Sequence, residues 1–200
     1  VRESLDIPPD SVVIGNLSRF EKRKGYDVFS RVASQVTKLD TNVRFLVIGY
    51  GEEEAYLKSL VKQFALEKCV IFVKPRRDIP QVLAAIDILL FTPYWGEGLP
   101  TIILEAMASG KPVVASNIGS NKELVANGIT CFLPSPEIWV METRQLEASA
   151  FTEKIIYLIK NRDIAKQMGL EGRSIVEQNF SVEKMVRETE ALYFSLMQRY

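Results

Sequence analysis

Apolar positions along the chain fall into short blocks that alternate between two spacings. Residues 11–15, 43–48, 69–73 and 88–91 are nearly continuous apolar runs bounded by turn residues, the pattern of strands buried on both faces. Between the first two runs, Val28, Phe29, Val32 and Val36 recur at helical spacing behind Lys24-Gly25. Residues 52–65 read as a helix with acids in its first turn, and Asp78 is placed to cap a short helix through residue 86. Past the fourth run, residues 101–108 regain helical composition and stop at Gly110; residues 112–115 are strand-like. A short helix is expected at 120–125 and a sixth strand at 130–133. Residues 134–148 read as irregular, with Trp139 on the surface. Helices are expected at 151–160, 163–178 and 182–198, the last capped by Ser181. About six strand–helix alternations predict an α/β fold: a doubly wound, parallel, Rossmann-like sheet with extra C-terminal helices and its ligand at the carboxyl edge. Residues 1–10 read as a linker or capping turn, and 11–200 as one domain.

Composition narrows the function classes. Lys+Arg and Asp+Glu both total 25, so no global basic field points to nucleic acid. The chain has no histidine, which removes His-based triads, His general bases and His metal sites together. Cys69 and Cys131 lack metal-type spacing and read as reduced thiols, Cys131 in the core. No run approaches the length of a membrane span and no signal peptide is visible, so the expected location is cytoplasmic.

Chemistry concentrates between Phe91 and Ser116, FTPYWGEGLPTIILEAMASGKPVVAS, which reads as strand, glycine-rich loop, helix, strand. Gly98, Leu99, Pro100 and Thr101 open the helix, where free backbone N–H groups and the positive end of the dipole suit a phosphate. Glu97 lies in the loop and Glu105 in the helix. An arbitrary glutamate pair is most simply a surface loop charge and a solvated helix position. Here Glu105 is flanked by Ile102, Ile103, Leu104, Ala106, Met107 and Ala108, so the helix is expected to be buried and Glu105 to need a partner or ligand. The loop after the first strand is the most basic segment, with Arg19, Lys22, Arg23 and Lys24, and a first βα loop is where phosphate usually sits. Gly49-Tyr50-Gly51 fails as a dinucleotide fingerprint, lacking the third glycine and following the wrong strand.

EGLPTIILEAMASGKPVVAS resembles the donor-site signature of the retaining glycosyltransferases of family 4, of the GT-B fold: a Glu, seven intervening residues, a second Glu and an EAMA-G-PV stretch. SRFEKRKG is similar to that family's G-R-L-x-x-x-K-G element, with Ser18 in place of the usual Gly. The resemblance covers nearly the whole chain but only one of the two GT-B domains, the C-terminal, donor-binding one. It implies metal-independent transfer of a sugar from a nucleotide-diphosphate sugar, UDP or GDP, with retention of configuration and no further cofactor. Arg19 and Lys24 would hold the diphosphate, Glu105 the ribose hydroxyls, and Glu97 the transferred sugar. Gly49 and Gly51 would let backbone approach the donor, while Val73 and Lys74 would hold the base through main chain. The acceptor would be a sugar, a lipid-linked or a small molecule, and the full-length protein would be cytoplasmic or peripheral to a membrane. The implied partner in cis is an N-terminal domain, to which the helix at about 182–200 would cross back, and the isolated half would turn over poorly.

Rival readings remain open. A glycosidase could use two carboxylates, but a basic phosphate loop beside them argues against it. A GT-B epimerase would want a His, and a phosphorylase a cofactor lysine site. The chain could also be a non-catalytic GT-B relative, or a binding-only subunit that supplies donor to a separate acceptor-binding chain, which an acceptor half on the same polypeptide would argue against. A dinucleotide oxidoreductase is disfavoured by the failed glycine pattern.

Overall fold

A computed structural model describes residues 1–119, 121–125, 127–134 and 148–197. Six strands form one sheet: β1 (Val12–Leu17), β2 (Val43–Ile48), β3 (Val70–Val73), β4 (Ile88–Phe91), β5 (Val113–Ala115) and β6 (Cys131–Phe132). Their spatial order is β3-β2-β1-β4-β5-β6 and every pairing is parallel. The order reverses between β1 and β4, and this switch point leaves a crevice at the carboxyl ends of those two strands.

Successive strand residues point to opposite faces, and each face is covered. Ile14, Phe45, Val47, Leu90 and Val114 join one core cluster with Phe29, Val32 and Val36 of α1 (Tyr26–Leu39) and Phe151 and Ile155 of α6 (Ala148–Lys160). Val13, Leu46, Leu89, Phe91 and Val113 join the other, with Val82 and Leu83 of α3 (Ile79–Ala85) and Ile103, Ala106 and Met107 of α4 (Thr101–Ala108). Helix α2 (Glu54–Gln63) lies on the first face; α7 (Arg162–Asn179) packs on α4, where Gly169 and Gly172 admit the Gly110 carbonyl and the Met107 side chain. Double burial explains why the strands read as apolar runs rather than alternations.

Observed bounds differ from the expected ones at several ends: α6 begins at Ala148 and α2 is trimmed to Glu54–Gln63. Strand β1 runs two residues further, through Asn16 and Leu17, because Asn16 Nδ2 donates to Leu90 O at 2.9 Å and so satisfies a polar side chain inside the sheet. Asp78 precedes α3 but does not cap it through its side chain; both its oxygens are taken by Arg76, at 2.8 and 2.6 Å. Ser181 does cap α8 (Val182–Met197), its Oγ accepting Lys184 N at 3.2 Å. The segment 1–10 docks on the sheet: Ile7 is buried, and Arg2 donates to Ala85 O, Ser11 O and Asp87 Oδ2. Helix α5 is Asn121–Leu124. Ser120, Trp139 and residues 198–200 lie outside the described residues, as does most of the segment expected to be irregular.

Candidate functional site

Two loops meet at the switch point. After β1, the chain passes through Ser18–Glu21 and a 3-10 turn at Lys22–Lys24, then enters α1 at Gly25. Gly25 has φ +66°, and a Cβ there would lie 2.0 Å from Thr92 O, so only glycine lets this backbone press against the loop after β4. Thr92 Oγ1 locks the approach by donating to Gly25 O at 3.1 Å. The β4–α4 loop then carries Tyr94 and Trp95, stacked ring on ring, and Gly96 to Pro100.

The loops are joined electrostatically. Lys24 Nζ lies 2.7 Å and Arg23 NH1 2.8 Å from Glu97 Oε1. The Glu97 side chain is 7% exposed and that of Lys24 10%, and the Lys24 ammonium also faces the Phe91 ring at 5.3 Å. Arg23 Nε donates to Glu21 Oε2 at 2.7 Å, and Arg19 reaches Glu21 Oε1 at 3.2 Å while remaining 65% exposed over the Tyr50 ring. Hydrogen bonding from Arg23, with the charges of Arg19 and Lys24 adding to it, holds the Glu21 carboxyl below its ordinary value. Arg19 and Lys22 are thus the exposed cations of the loop, Arg23 is half-buried, and Lys24 is buried and already paired.

Glu105 corrects the sequence expectation. Helix α4 buries Ile103, Ala106 and Met107 but turns Thr101, Glu105 and Ala108 outward, so its high apolar content does not make it a fully buried helix. The Glu105 carboxylate is exposed, with no hydrogen bond or ion pair among the described residues. Thr101 and Glu105, four apart, share its exposed side. The α4 amino terminus, preceded by exposed Gly98 and Leu99 and by Pro100 in extended conformation, carries no acid in its first turn. The structure therefore brings Arg19, Lys24, Glu97, Gly98, Leu99, Pro100, Thr101 and Glu105 to one end of the sheet.

Gly49, Gly51, Val73 and Lys74 lie at the same end, past β2 and β3. Gly49, Val73 and Lys74 border a cleft of ≈ 610 Å³ with Phe20 and Tyr50; Gly51 does not line it. Here the glycines serve chain packing: a Cβ at Gly49 would stand 2.0 Å from Ser18 O, and one at Gly51 2.4 Å from Phe20 O. A second cleft, ≈ 630 Å³, opens at the opposite end of the strands near Arg2, Asp87 and Lys111 and shares no residue with this site.

Two contributors escaped the sequence reading. Arg23 gave no motif signal, because only the folded loop shows that it points at Glu97. The loop after β5 also closes on the site: a Cβ at Gly119, whose φ is +51°, would lie 2.6 Å from Glu97 O. Among the described residues no cluster of three or more His, Cys, Asp or Glu could hold a metal, and no helix is long and apolar enough to cross a membrane.

A family model for glycosyl transferases group 1 matches residues 1–175. The chain belongs to this family. Among relatives, it is 25% identical over 198 residues to an N-acetyl-alpha-D-glucosaminyl L-malate synthase of Bacillus anthracis, covering 98% of this chain and 49% of that protein. It is 28% identical to the lipopolysaccharide core biosynthesis mannosyltransferase LpsB of Rhizobium meliloti, across 98% and 55% of the two chains. The crystal structure of Anabaena Alr3699/HepE in complex with UDP-glucose superposes with a TM-score of 0.86 at 27% identity, over 97% of this chain and 51% of that one. A crystallised C-terminal domain of the group 1 protein LpcC from Francisella tularensis matches over 90% of this chain and 91% of its own, with a TM-score of 0.77 and 25% identity. The chain spans about half the length of these curated relatives.

Proposed function

We propose that this chain is the donor-binding half of a glycosyltransferase that moves a sugar from a nucleotide-diphosphate sugar to an acceptor, with retention of configuration and without a metal ion. The carrying observation is the meeting of a cationic β1–α1 loop, the α4 amino terminus and two carboxylates at the switch point of the sheet. The HepE complex, which contains UDP-glucose, supports a UDP-linked donor.

In this reading the base and ribose enter the cleft beside Val73 and Lys74, and exposed Glu105 accepts the ribose hydroxyls. Arg19 and the amides opening α4 meet the diphosphate, where negative charge grows as the glycosidic bond breaks; fixed positive charge at that place lowers the barrier. Lys24 lies between diphosphate and Glu97, and Glu97 receives the hydroxyls of the transferred sugar and faces the positive charge that develops on it. An N-terminal domain in cis supplies the acceptor site, for a sugar, lipid-linked or small-molecule acceptor. Helix α8 crosses to that domain through Met185, Leu192, Tyr193 and Leu196, all exposed in the isolated half. The site of action is the cytoplasm or its membrane surface.

Release of UDP from UDP-glucose by the full-length protein, measured with and without EDTA, tests this. Release should persist in EDTA and fall by at least about tenfold in Glu97→Ala, the low end of the value of a charged contact. NMR of the transfer product should show the donor's anomeric configuration. Abolition by EDTA, or an inverted product, contradicts the mechanism.

A further inference from the structure

Arg23 is the hub of the loop contacts. Its Nε donates to Glu21, and its NH1 to both Gly96 O at 3.0 Å and Glu97 Oε1 at 2.8 Å. Its own carbonyl accepts Tyr94 N at 2.8 Å. One side chain thereby ties the β1–α1 loop to the two residues whose carboxylate and carbonyl shape the entrance to α4. Glu97 Oε1 receives both Arg23 and Lys24. Its other oxygen, Oε2, accepts no hydrogen bond among the described residues.

The cations of this loop are not equivalent. Arg19 is largely exposed and held by an ion pair at 3.2 Å and the face of the Tyr50 ring, so an incoming anion can engage it cheaply. Arg23 is two-thirds covered and already satisfied by two carboxylates and a carbonyl. Recruiting Arg23 to a phosphate would take one partner from both Glu97 and Glu21, leaving Glu97 with Lys24 and Glu21 with the exposed Arg19, at the cost of partly buried charges losing a partner.

We propose that Arg23 is a positioning residue: it pins Glu97 through Oε1 so that Oε2 is presented to a hydroxyl of the transferred sugar, and it sets sugar selection without contacting the diphosphate. This rests on the donor-site reading above. The contact sits at a loop position that carries no motif, so relatives with another residue there would orient the carboxylate differently and select sugars differently.

Calorimetric titration of wild type, Arg23→Ala and Arg23→Lys with UDP, UDP-glucose and UDP-N-acetylglucosamine separates the possibilities. In Arg23→Ala, UDP affinity should stay within about twofold, while the better-bound sugar nucleotide weakens about tenfold, the low end of a charge-assisted hydrogen bond. Arg23→Lys, which keeps a cation within reach of Glu97, should recover part of that loss. Equal weakening of UDP and sugar nucleotide would place Arg23 on the phosphate and overturn the proposal, as would no change in either. If wild type binds none of the three, the donor-site reading fails. The ligand-free crystal structure of Arg23→Ala still tests the positioning: the Glu97 carboxylate should move beyond about 0.5 Å, the tolerance of a preorganised site, and an unmoved carboxylate would refute it.

Discussion

The Lys24 ammonium lies 2.7 Å from Glu97 Oε1, with each side chain at least nine-tenths covered. Removing one member leaves the other buried and short of a partner, although Arg23 still reaches Glu97. Lys24→Met should therefore lower unfolding free energy by about 1.5–3 kcal/mol in urea titrations, and much of that cost should vanish in the Lys24→Met/Glu97→Gln double variant. Glu21 gives a pH signature. Its carboxyl is held below the ordinary value chiefly by its hydrogen bond with Arg23. A depressed carboxyl contributes stability that is present above its unfolded-state value and lost as pH falls through the lower, folded one. Carboxyl NMR should show Glu21 titrating below the usual glutamate range, and Arg23→Ala should move its midpoint upward. An unchanged midpoint would detach Glu21 from Arg23.

At the scale of elements, the β1–α1 loop depends on backbone approach. Gly25→Ala combines a left-handed φ, worth about 1–2 kcal/mol for other residues, with a Cβ 2.0 Å from Thr92 O. It should destabilise the fold by more than the φ term alone and loosen the two loops together, read as faster amide exchange at both. Phe29 of α1, wholly buried between the rings of Tyr26 and Phe45, should cost about 3–5 kcal/mol when truncated to Ala. These elements were largely legible in the sequence, since doubly buried strands and one-sided helices leave different periodicities: β2 and β4 appear with the expected bounds. Glu105 was legible as a site candidate but not in its surroundings. Composition alone does not distinguish a wholly buried helix from one of eight residues whose outward side is only Thr101, Glu105 and Ala108. Arg23 was illegible because its role lies in a contact across 74 positions of sequence, between loops that meet only at the switch point.

For the whole molecule, the 3-2-1-4-5-6 strand order fixes where loops from distant parts of the chain converge, and it does so at the end of the sheet where Arg19, Glu97 and Glu105 lie. Helix α8 stands apart from that core. None of its described residues is buried, and Met185, Tyr193, Phe194 and Met197 are each at least 60% exposed. Deleting residues 182–200 should therefore shift the Tm of this chain by no more than about 2 °C, in line with a surface change of about 0.5 kcal/mol. A large drop would show that α8 holds the fold together instead. The central claim, a donor nucleotide site at the switch point, is tested most directly by calorimetry with UDP, GDP and ADP on wild type, Arg19→Ala and Glu105→Ala. One nucleotide, UDP, should bind selectively. Each variant should weaken it by about 10- to 150-fold, the value of a charge-assisted contact of about 1.5–3 kcal/mol. UDP binding that is indifferent to both substitutions, or no binding of any of the three nucleotides, would contradict the assignment.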